Sequence, residues 1–288
     1  MALLVGWEKN KVRVPDQIPA ERLHEFASIS ICIVTYKPQW QVLKATLKSL
    51  KIALDLAVID ANVVIVDNSP VDDVTTWVQS SMPDFPVTVI SGHGNIGFGR
   101  ANNLALKWNS SLHLVLNPDV EMDSDALQRA MQFMLSNPAC GLLTPAAFSP
   151  DGSRQYLCKR YPAVFDLFLR GFAPVFIRRL FRERLDRYEM RDQIGEQPMW
   201  DPPIVSGCFM LFRGGVFHAL KGFDPRYMLY FEDFDISLRA STITRIAYVP
   251  SVRIVHGGGN AGRKGAWHIW QFVRSAAKFY STHGLKIF

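Results

Sequence analysis

Short runs of β-branched residues alternate with helical patterns through the first half of the chain. The runs predict strands at residues 29–35, 63–66, 87–90 and 112–116. After the first strand, Pro38 opens a predicted helix whose apolar residues recur every three or four positions. A second helix is predicted at 97–108. Because this alternation is typical of βαβ units, we expect an α/β fold with an open, mostly parallel central sheet flanked by helices.

The second half of the chain is less regular. In order, its pattern predicts a helix at 124–136, a strand and hairpin at 141–148 and 155–157, a helical or mobile stretch at 161–197, a strand at 204–213, a short helix at 232–240, a strand at 252–255 and a closing amphipathic helix at 267–280. We therefore predict one main domain at 29–260, with an N-terminal extension at 1–28 and a C-terminal amphipathic helix at 261–288.

The composition is that of an ordinary globular protein. The chain has 288 residues, of which 48% are hydrophobic and 20% charged, enough for one sizeable core. No apolar run approaches the roughly 20 residues that cross a bilayer, and the short apolar start has no cleavage-site pattern. The four cysteines are far apart and lack zinc-ligand spacing, so we expect reduced thiols in a cytoplasmic protein.

A formal net charge of +6 indicates an anionic partner, which could be nucleic acid, an acidic lipid surface or a phosphorylated substrate. Between residues 170 and 191, seven arginines and three acids are interleaved with apolar residues. A basic amphipathic helix of this type can lie on an anionic membrane. It can equally be a solvated helix packed on the core, and the pattern does not choose between these interpretations.

Polar residues follow the predicted strands at Thr35 and Tyr36, at Asp67, at Asn95, and at Asn117 and Asp119. In open α/β sheets, ligands bind outside the carboxyl ends of the strands, so we expect a site at this edge. Asp119, stiffened by the preceding proline, could bind Mg²⁺ or Mn²⁺ against a diphosphate. The alternative is a plain Asn-Pro-Asp turn.

Three acids, Glu232, Asp233 and Asp235, fall within four residues. Acids in the first turn of a helix are favoured by its dipole, which is the structural interpretation, and Asp235 is spaced for an ion pair with Arg239. Alternatively, Glu232 and Asp233 beside aromatic residues form a site where one carboxylate acts as general base on a hydroxyl. His256 ends a predicted strand and is a candidate metal or diphosphate ligand, although lone histidines are often structural.

A glycine-rich segment at 91–103 enters the second predicted helix. It lacks the GxGxxG fingerprint of dinucleotide-binding folds and the lysine-serine pair of a P-loop. Because helix N-termini attract anions, the segment could cradle a phosphate. A tight strand-to-helix turn would need the same glycines.

Seven segments stand out when they are taken in order: Ile-Val-Thr-Tyr at 33–36, Val-Ile-Val-Asp-Asn-Ser at 64–69, Gly-Asn-Ile-Gly-Phe-Gly-Arg-Ala-Asn-Asn at 94–103, Leu-Asn-Pro-Asp at 116–119, Ser-Gly-Cys-Phe-Met at 206–210, Gly-Phe-Asp at 222–224 and Phe-Glu-Asp-Phe-Asp at 231–235. This ordered set resembles family 2 glycosyltransferases, and more narrowly the bacterial rhamnosyltransferase-type members that build O-antigen and other surface polysaccharides. The resemblance runs from about residue 29 to residue 256.

The resemblance implies a GT-A fold, with a nucleotide-sugar-binding half at 29–120 and an acceptor half at 121–260, and an inverting mechanism with Mg²⁺ or Mn²⁺. Asp119 matches the last acid of the family's DxD metal motif, whose first acid is replaced here by Asn117. Asp233 matches the catalytic base, supported by Glu232, and His256 matches a late histidine that binds metal in some relatives. The residues that match donor contacts are Thr35, Tyr36, Asp67, Asn95, Gly97, Asn102 and Asn117.

The resemblance also implies a reaction, which is transfer of a sugar from a nucleotide-sugar donor to a saccharide or polyprenyl-diphosphate-linked acceptor. Rhamnose from dTDP-rhamnose is the first expectation, and another UDP-, GDP- or dTDP-sugar is the alternative. Such a protein would work in the cytoplasm, or peripherally at the inner face of the plasma membrane, without binding nucleic acid. One alternative is a nucleotidyltransferase, which would need a basic glycine-rich segment after the first strand, and residues 35–38 do not supply it. Another is a non-catalytic sugar-binding module, which would not need Glu232 and Asp233 beside Asp119.

Overall fold

The structure is a computed structural model that describes residues 26–257 and 265–288. Within these residues the strands are β1 (Ser28–Thr35), β2 (Asp60–Asp67), β3 (Val87–Ile90), β4 (Leu112–Leu116), β5 (Val120–Met122), β6 (Cys140–Phe148), β7 (Arg154–Gln155), β8 (Cys158–Lys159), β9 (Met199–Trp200), β10 (Ile204–Val205), β11 (Phe209–Arg213) and β12 (Arg245–His256). The helices of the same part of the chain are α1 (Trp40–Ala57), α2 (Val74–Ser81), α3 (Phe98–Asn103), α4 (Ala126–Ser136), α5 (Val164–Gly171), α6 (Val175–Leu180), α7 (Arg182–Tyr188), α8 (Gly214–Ala219), α9 (Glu232–Ser241) and α10 (Ala266–His283).

Ten of these strands form one sheet in the order β3-β2-β1-β4-β11-β6-β12-β5, with β7 on β6 and β9 on β12. The first four strands of this order are parallel, whereas β11 runs antiparallel to both of its neighbours. The chain adds β2 and β3 on one side of β1 and then returns to add β4 on the other. Ligands bind at the carboxyl ends of the strands where the winding reverses in this way.

Alternate residues of the central strands face opposite layers of helices. Ile31 of β1 packs in one apolar cluster with Leu47 of α1, while the next residue, Cys32, packs with Ala101 of α3 in another. Further along the sheet, Ile236 of α9 belongs to a third cluster. Helices therefore cover both faces of the sheet, as a parallel sheet requires. A ligand can then reach the sheet only at the ends of its strands.

The predicted α/β sheet is confirmed, most closely at β3 and β4, whose bounds are those predicted. The first helix begins at Trp40 rather than at Pro38, because Gln39 has an extended backbone (ψ 113°) and its carbonyl accepts the N–H of Leu43 (3.0 Å) as the N-cap. The second predicted helix is α-helical only to Asn103, where a 3₁₀ turn replaces it.

The single strand predicted at 204–213 is wrong, because a turn at residues 206–208 separates β10 from β11. In this turn the carbonyl of Cys208 accepts the N–H of Asn117 (2.9 Å), and the N–H of Gly207 donates to the carboxylate of Asp233 (3.1 Å). A Cβ at Gly207 would lie 3.2 Å from the Cβ of Asp233. The interruption therefore depends on residues that are distant in the sequence.

The stretch at 161–197 contains three short helices, α5 to α7, instead of one basic amphipathic helix. All four cysteines are buried free thiols, in agreement with the sequence. None of the helices in the described residues is long and apolar enough to span a bilayer. The predicted N-terminal extension up to residue 25 and the predicted boundary at residue 260 lie outside the described residues, so the domain limits stay predictions.

Candidate active site

The carboxyl ends of β1 and β2 meet at a buried carboxylate. Oδ1 of Asp67 accepts hydrogen bonds from the hydroxyl of Thr35 (2.9 Å) and from the hydroxyl and N–H of Ser69 (2.6 and 3.2 Å). Oδ2 is buried and has no hydrogen-bond partner among the described residues. Because an unpaired buried carboxylate oxygen is costly, Oδ2 is placed to accept a hydrogen bond from a ligand. Thr35, itself buried, orients this carboxylate.

Two buried amides extend the same edge. Asn68 donates to the carbonyl of Gly97 (3.4 Å) and Asn102 to that of Phe98 (3.0 Å). The amide oxygen of each lacks a partner in the part of the chain that the structure describes. With Oδ2 of Asp67 they make three buried oxygens that a ligand with N–H or O–H groups could satisfy. Asn68 belongs to the segment at 64–69 that carries the family resemblance, but only its neighbour Asp67 was predicted to contact the donor.

The other predicted donor contacts lie around this edge. Tyr36 is 53% exposed after β1, and the side chain of Asn95 accepts the N–H of Gly97 (3.1 Å). Gly97 has a φ of 89°, and a Cβ there would overlap the carbonyl oxygen of Met228. At Gly97 this close packing favours the tight-turn interpretation of the glycine-rich segment.

β5 brings Asp119 beside His256. It runs antiparallel to β12, with Val120 opposite His256, and the N–H of Gly257 donates to the carbonyl of Asp119 (2.9 Å). Nε2 of His256 lies 3.5 Å from Oδ1 of Asp119, and Oδ1 is buried without a hydrogen-bond partner in the described chain. The two residues predicted as metal ligands therefore face each other.

Gln155 determines which nitrogen of His256 faces Asp119. Its amide N–H₂ donates to the backbone carbonyl of His256 (2.9 Å), so its Oε1 accepts a hydrogen bond from Nδ1 (2.9 Å). In the neutral imidazole, Nδ1 then carries the proton and Nε2 presents a lone pair to Asp119, the arrangement common at metal-binding histidines. Within residues 26–257 and 265–288, no third His, Cys, Asp or Glu completes a metal-binding group. A cation held here would take further ligands from a bound phosphate or water.

Glu232 and Asp233 begin α9 after an unusual backbone turn. Tyr230 and Phe231 are both left-handed, with φ of 68° and 64°, and such a conformation costs of order 1–3 kcal/mol for a residue with a side chain. Phe231 is buried, with its ring centroid 5.3 Å from that of Phe279 in α10. This aromatic packing offsets the strain and holds the start of α9 in place.

The two neighbouring acids differ in their hydrogen bonds. Asp233 accepts the N–H groups of Gly207 (3.1 Å) and Phe234 (3.0 Å), whereas Oε2 of Glu232 is buried without a partner in the described residues. Burial and the charge of Asp233 raise the pKa of Glu232 to about 8. Burial also raises the pKa of Asp233, although its backbone hydrogen bonds act in the opposite direction. At neutral pH, Glu232 therefore holds a proton while Asp233 is the better stabilised anion.

Asp235 forms the predicted ion pair with Arg239, with 2.7 Å between Oδ2 and Nε. The pair is more buried than an ordinary surface pair, because Asp235 is only 1% exposed. Nε2 of His283 also lies 2.8 Å from its other oxygen. Since His283 ends α10, Asp235 links α9 to α10 and is a structural residue.

Asp233 and His256 line one cavity of about 480 Å³, together with four basic residues, one acid, Glu189, and several uncharged side chains. The basic side chains include Lys159, Arg170 and Arg191. Burial, together with the charge of Arg170, lowers the pKa of Lys159 to about 8. In the sequence, Arg170 and Arg191 belong to the basic stretch at 170–191, whereas Lys159 lies outside it. Only the fold brings the three side chains together.

Residues 30–220, more than half of the chain, match the family described as Glycosyl transferase family 2. The chain is 27% identical over 257 residues to an N-acetylglucosaminyl-diphospho-decaprenol L-rhamnosyltransferase of Mycobacterium tuberculosis, with 84% of this chain and 80% of that protein covered. It is 26% identical over 208 residues to the rhamnosyltransferase WbbL of Escherichia coli K12, with 66% of this chain and 73% of that protein covered.

Two solved structures resemble the fold. GalNAc-T7 with UDP, GalNAc and Mn²⁺ superposes with a TM-score of 0.59 at 14% identity, covering 88% of this chain and 48% of that one. The mannosyltransferase PcManGT from Pyrobaculum calidifontis, in complex with GDP-Man and Mn²⁺, gives a TM-score of 0.54 at 17% identity, covering 90% of this chain and 70% of that one. At these identities the likeness concerns the fold alone.

Proposed function

The chain belongs to glycosyl transferase family 2 and has the GT-A fold, and from this premise we propose that it transfers rhamnose from dTDP-rhamnose, with inversion, to a saccharide carried on a polyprenyl diphosphate. Two sequence relatives are named rhamnosyltransferases, and one of them is named for a diphospho-decaprenol acceptor. These names support the donor sugar and the acceptor. Another UDP-, GDP- or dTDP-sugar is the alternative donor.

Asp233 is the proposed base of a single displacement. It would accept the proton of the acceptor hydroxyl while that oxygen bonds to the anomeric carbon and the nucleoside diphosphate leaves. The N–H groups of Gly207 and Phe234 hold the carboxylate in one orientation. Glu232, protonated at neutral pH, supports this base without adding a second charge beside it.

Asp119 and His256 are the proposed ligands of a divalent cation, Mg²⁺ or Mn²⁺. The unpaired Oδ1 of Asp119 and the Nε2 of His256 that faces it support this assignment. When bound, such a cation offsets the charge that grows on a departing diphosphate. Asp67, Asn68 and Asn102 would accept hydrogen bonds from the nucleoside.

The observation that carries the proposal is the turn at 206–208. Gly207 contacts Asp233, and Cys208 contacts Asn117, which lies two residues before Asp119. One rigid turn therefore connects the proposed base with the proposed metal ligands. A module that only bound sugar would not need two neighbouring buried acids at this junction.

Thermal unfolding with a panel of nucleotide sugars tests the donor. At a donor concentration of 100 times Kd, binding stabilises the fold by about 2.7 kcal/mol, which corresponds to a rise in Tm on the order of 5 °C for a chain of this size. We expect this rise with dTDP-rhamnose and Mg²⁺ or Mn²⁺, and rhamnosyl transfer to a diphosphate-linked N-acetylglucosamine. A larger rise and faster transfer with UDP-glucose or GDP-mannose would replace rhamnose as the donor sugar.

A peripheral location on an anionic membrane is the second part of the proposal, and an apolar surface supports it. α10 packs by Phe279, but its Trp270 and Val273 are more than half exposed while the polar Gln271 and Ser275 are buried, so part of its apolar surface faces outward. α5, α6 and the last residues of the chain extend this surface. Its exposed members are Phe168, Phe172, Val175, Phe176, Leu180, Trp270, Val273, Ile287 and Phe288.

Basic residues surround the apolar surface. Arg178 and Arg179 lie in the last turn of α6, a helix in which no residue is buried, and Arg274 lies over the ring of Trp270 (5.3 Å). The combination of exposed aromatic side chains and arginines is complementary to anionic headgroups. It would hold the enzyme where a polyprenyl-linked acceptor is found.

Liposome flotation tests the membrane surface. We expect the protein to float with vesicles that contain phosphatidylglycerol at low salt. The double variant Arg178→Gln, Arg179→Gln should bind about 30-fold more weakly, since each basic residue near such a surface contributes about 1 kcal/mol. The matched control, Lys51→Gln with Arg129→Gln, removes the same charge elsewhere and should float like the wild type. No lipid-bound wild-type protein at low salt would contradict the proposal.

A further inference from the structure

The cavity beside Asp233 has a basic wall that the transfer chemistry above does not use. Lys159 comes from β8, Arg170 from the last turn of α5, and Arg191 follows α7. At about 480 Å³, the cavity lies within the range of small-molecule sites. Three basic side chains from separate parts of the chain thus converge on the space next to the proposed base.

These three cations share one nearby carboxylate. Glu189 lies 3.6 Å from Nζ of Lys159, 3.8 Å from Nε of Arg170 and 2.6 Å from a terminal nitrogen of Arg191. Arg191 has a second acid, Asp186, at 3.1 Å. Four basic residues, Arg154 and these three, line the cavity with only two acids, Glu189 and Asp233, so positive charge is in excess around a lysine that is only 6% exposed. Because burying charge is costly unless it is balanced, such an excess suits an anionic ligand.

The place of the cavity identifies which substrate would carry that anion. Asp233 lines the same space, so a molecule bound there presents its groups to the proposed base. In a saccharide diphosphate acceptor, a sugar ring separates the reacting hydroxyl from the diphosphate. A ligand spanning the cavity could thus put its hydroxyl at Asp233 and its phosphates at the basic wall.

We infer that Lys159, Arg170 and Arg191 bind the diphosphate of the acceptor and thereby select acceptors that carry phosphate over free saccharides. The inference rests on the proposed transfer reaction. α5 also connects this wall with the apolar surface, since Arg170 lines the cavity while Phe168 and Phe172 are exposed. A polyprenyl chain could remain in the membrane while its diphosphate reaches the cavity.

Two acceptors that differ only in phosphate provide the test. One is N-acetylglucosaminyl diphosphate on a short alkyl chain, and the other is the alkyl N-acetylglucosaminide. We expect Arg170→Gln with Arg191→Gln to lower kcat/KM for the diphosphate acceptor by about 100-fold, since charge-assisted hydrogen bonds of this kind are worth about tenfold or more each. Transfer to the phosphate-free acceptor and hydrolysis of the donor without acceptor should fall much less, because neither involves a phosphate of the acceptor.

The controls separate charge from folding. Both arginine side chains are about half exposed, so the variant should unfold at the wild-type temperature. Arg170→Lys with Arg191→Lys keeps the charge and should recover part of the loss. Lys51→Gln with Arg129→Gln removes equal charge away from the cavity and should behave as wild type. An equal loss with both acceptors, or a raised KM for the donor, would overturn the inference.

A binding measurement decides the inference even if no tested nucleotide sugar is turned over. Geranyl diphosphate is titrated by calorimetry into enzyme that is saturated with dTDP and Mg²⁺, so that the donor side is filled. We expect binding to the wild type that falls about 100-fold in the double glutamine variant. Equal affinity of the two proteins would overturn the diphosphate site. Failure of sugar transfer alone would count against the proposed function.

Discussion

Asp233→Asn should lower kcat for sugar transfer by about 10²- to 10⁴-fold, the usual contribution of a general base. The amide keeps the shape of the side chain and can still face the N–H groups at the 206–208 turn, but it cannot accept the acceptor proton. Donor affinity, measured as the thermal shift with dTDP-rhamnose and Mg²⁺, should therefore be nearly unchanged. Turnover close to wild type in this variant would remove Asp233 as the base.

Glu232→Gln is the matched control for this prediction. It also predicts the pH range in which kcat of the variant and kcat of the wild type should differ. Because the pKa of Glu232 is raised to about 8, this carboxyl is neutral below that pH and becomes charged above it. Glutamine resembles the neutral form, so kcat at pH 7 should stay close to wild type, and the two pH profiles should separate only above about pH 8. A loss at pH 7 as large as that of Asp233→Asn would make both acids essential.

Asp119→Asn should have the second-largest effect, on donor binding. The substitution removes the charge of a proposed metal ligand, and replacing even the residues that merely orient metal ligands costs about 10- to 100-fold in affinity. We expect at least that loss in the affinity for dTDP-rhamnose, measured by thermal shift while Mn²⁺ is titrated. The stimulation by Mn²⁺ should disappear with it.

Asp123→Asn serves as the control for Asp119. This aspartate follows β5, its side chain is 51% exposed, and it lies 3.9 Å from Arg253. The variant changes the net charge as Asp119→Asn does, and its metal-dependent donor binding should match that of the wild type. If both variants lost affinity equally, the effect would be one of overall charge, and Asp119 would not be a specific ligand.

The sequence predicted those parts of the fold that local patterns determine. β3 and β4 are β-branched or leucine-rich runs bounded by turn residues, and their limits were predicted correctly. β5 has only three residues, too few for a periodicity to be recognised. The run at 204–213 predicted one strand because most of its residues are apolar. Its interruption comes from contacts with Asn117 and Asp233, which are distant in the sequence.

The candidate site was predictable as a set of residues but not as a set of contacts. Ordered motifs identified Asp119, Asp233 and His256, and the pairing of β5 with β12 accounts for the approach of Asp119 to His256. Gln155, which orients His256, and Lys159 carry no local signal. Their roles come from side chains that approach across the fold, and such approaches leave no periodic trace in a single sequence.

The left-handed turn at Tyr230 and Phe231 has a consequence for the order in which the enzyme matures. The aromatic packing that offsets its strain comes from α10, which is synthesised after the segments that carry Asp67 and Asp119. A growing chain can thus complete its donor side while the start of α9 still lacks its support. The base reaches its working position only once α10 has been made, so a premature stop before α10 should leave a protein that binds nucleotide sugar and transfers nothing.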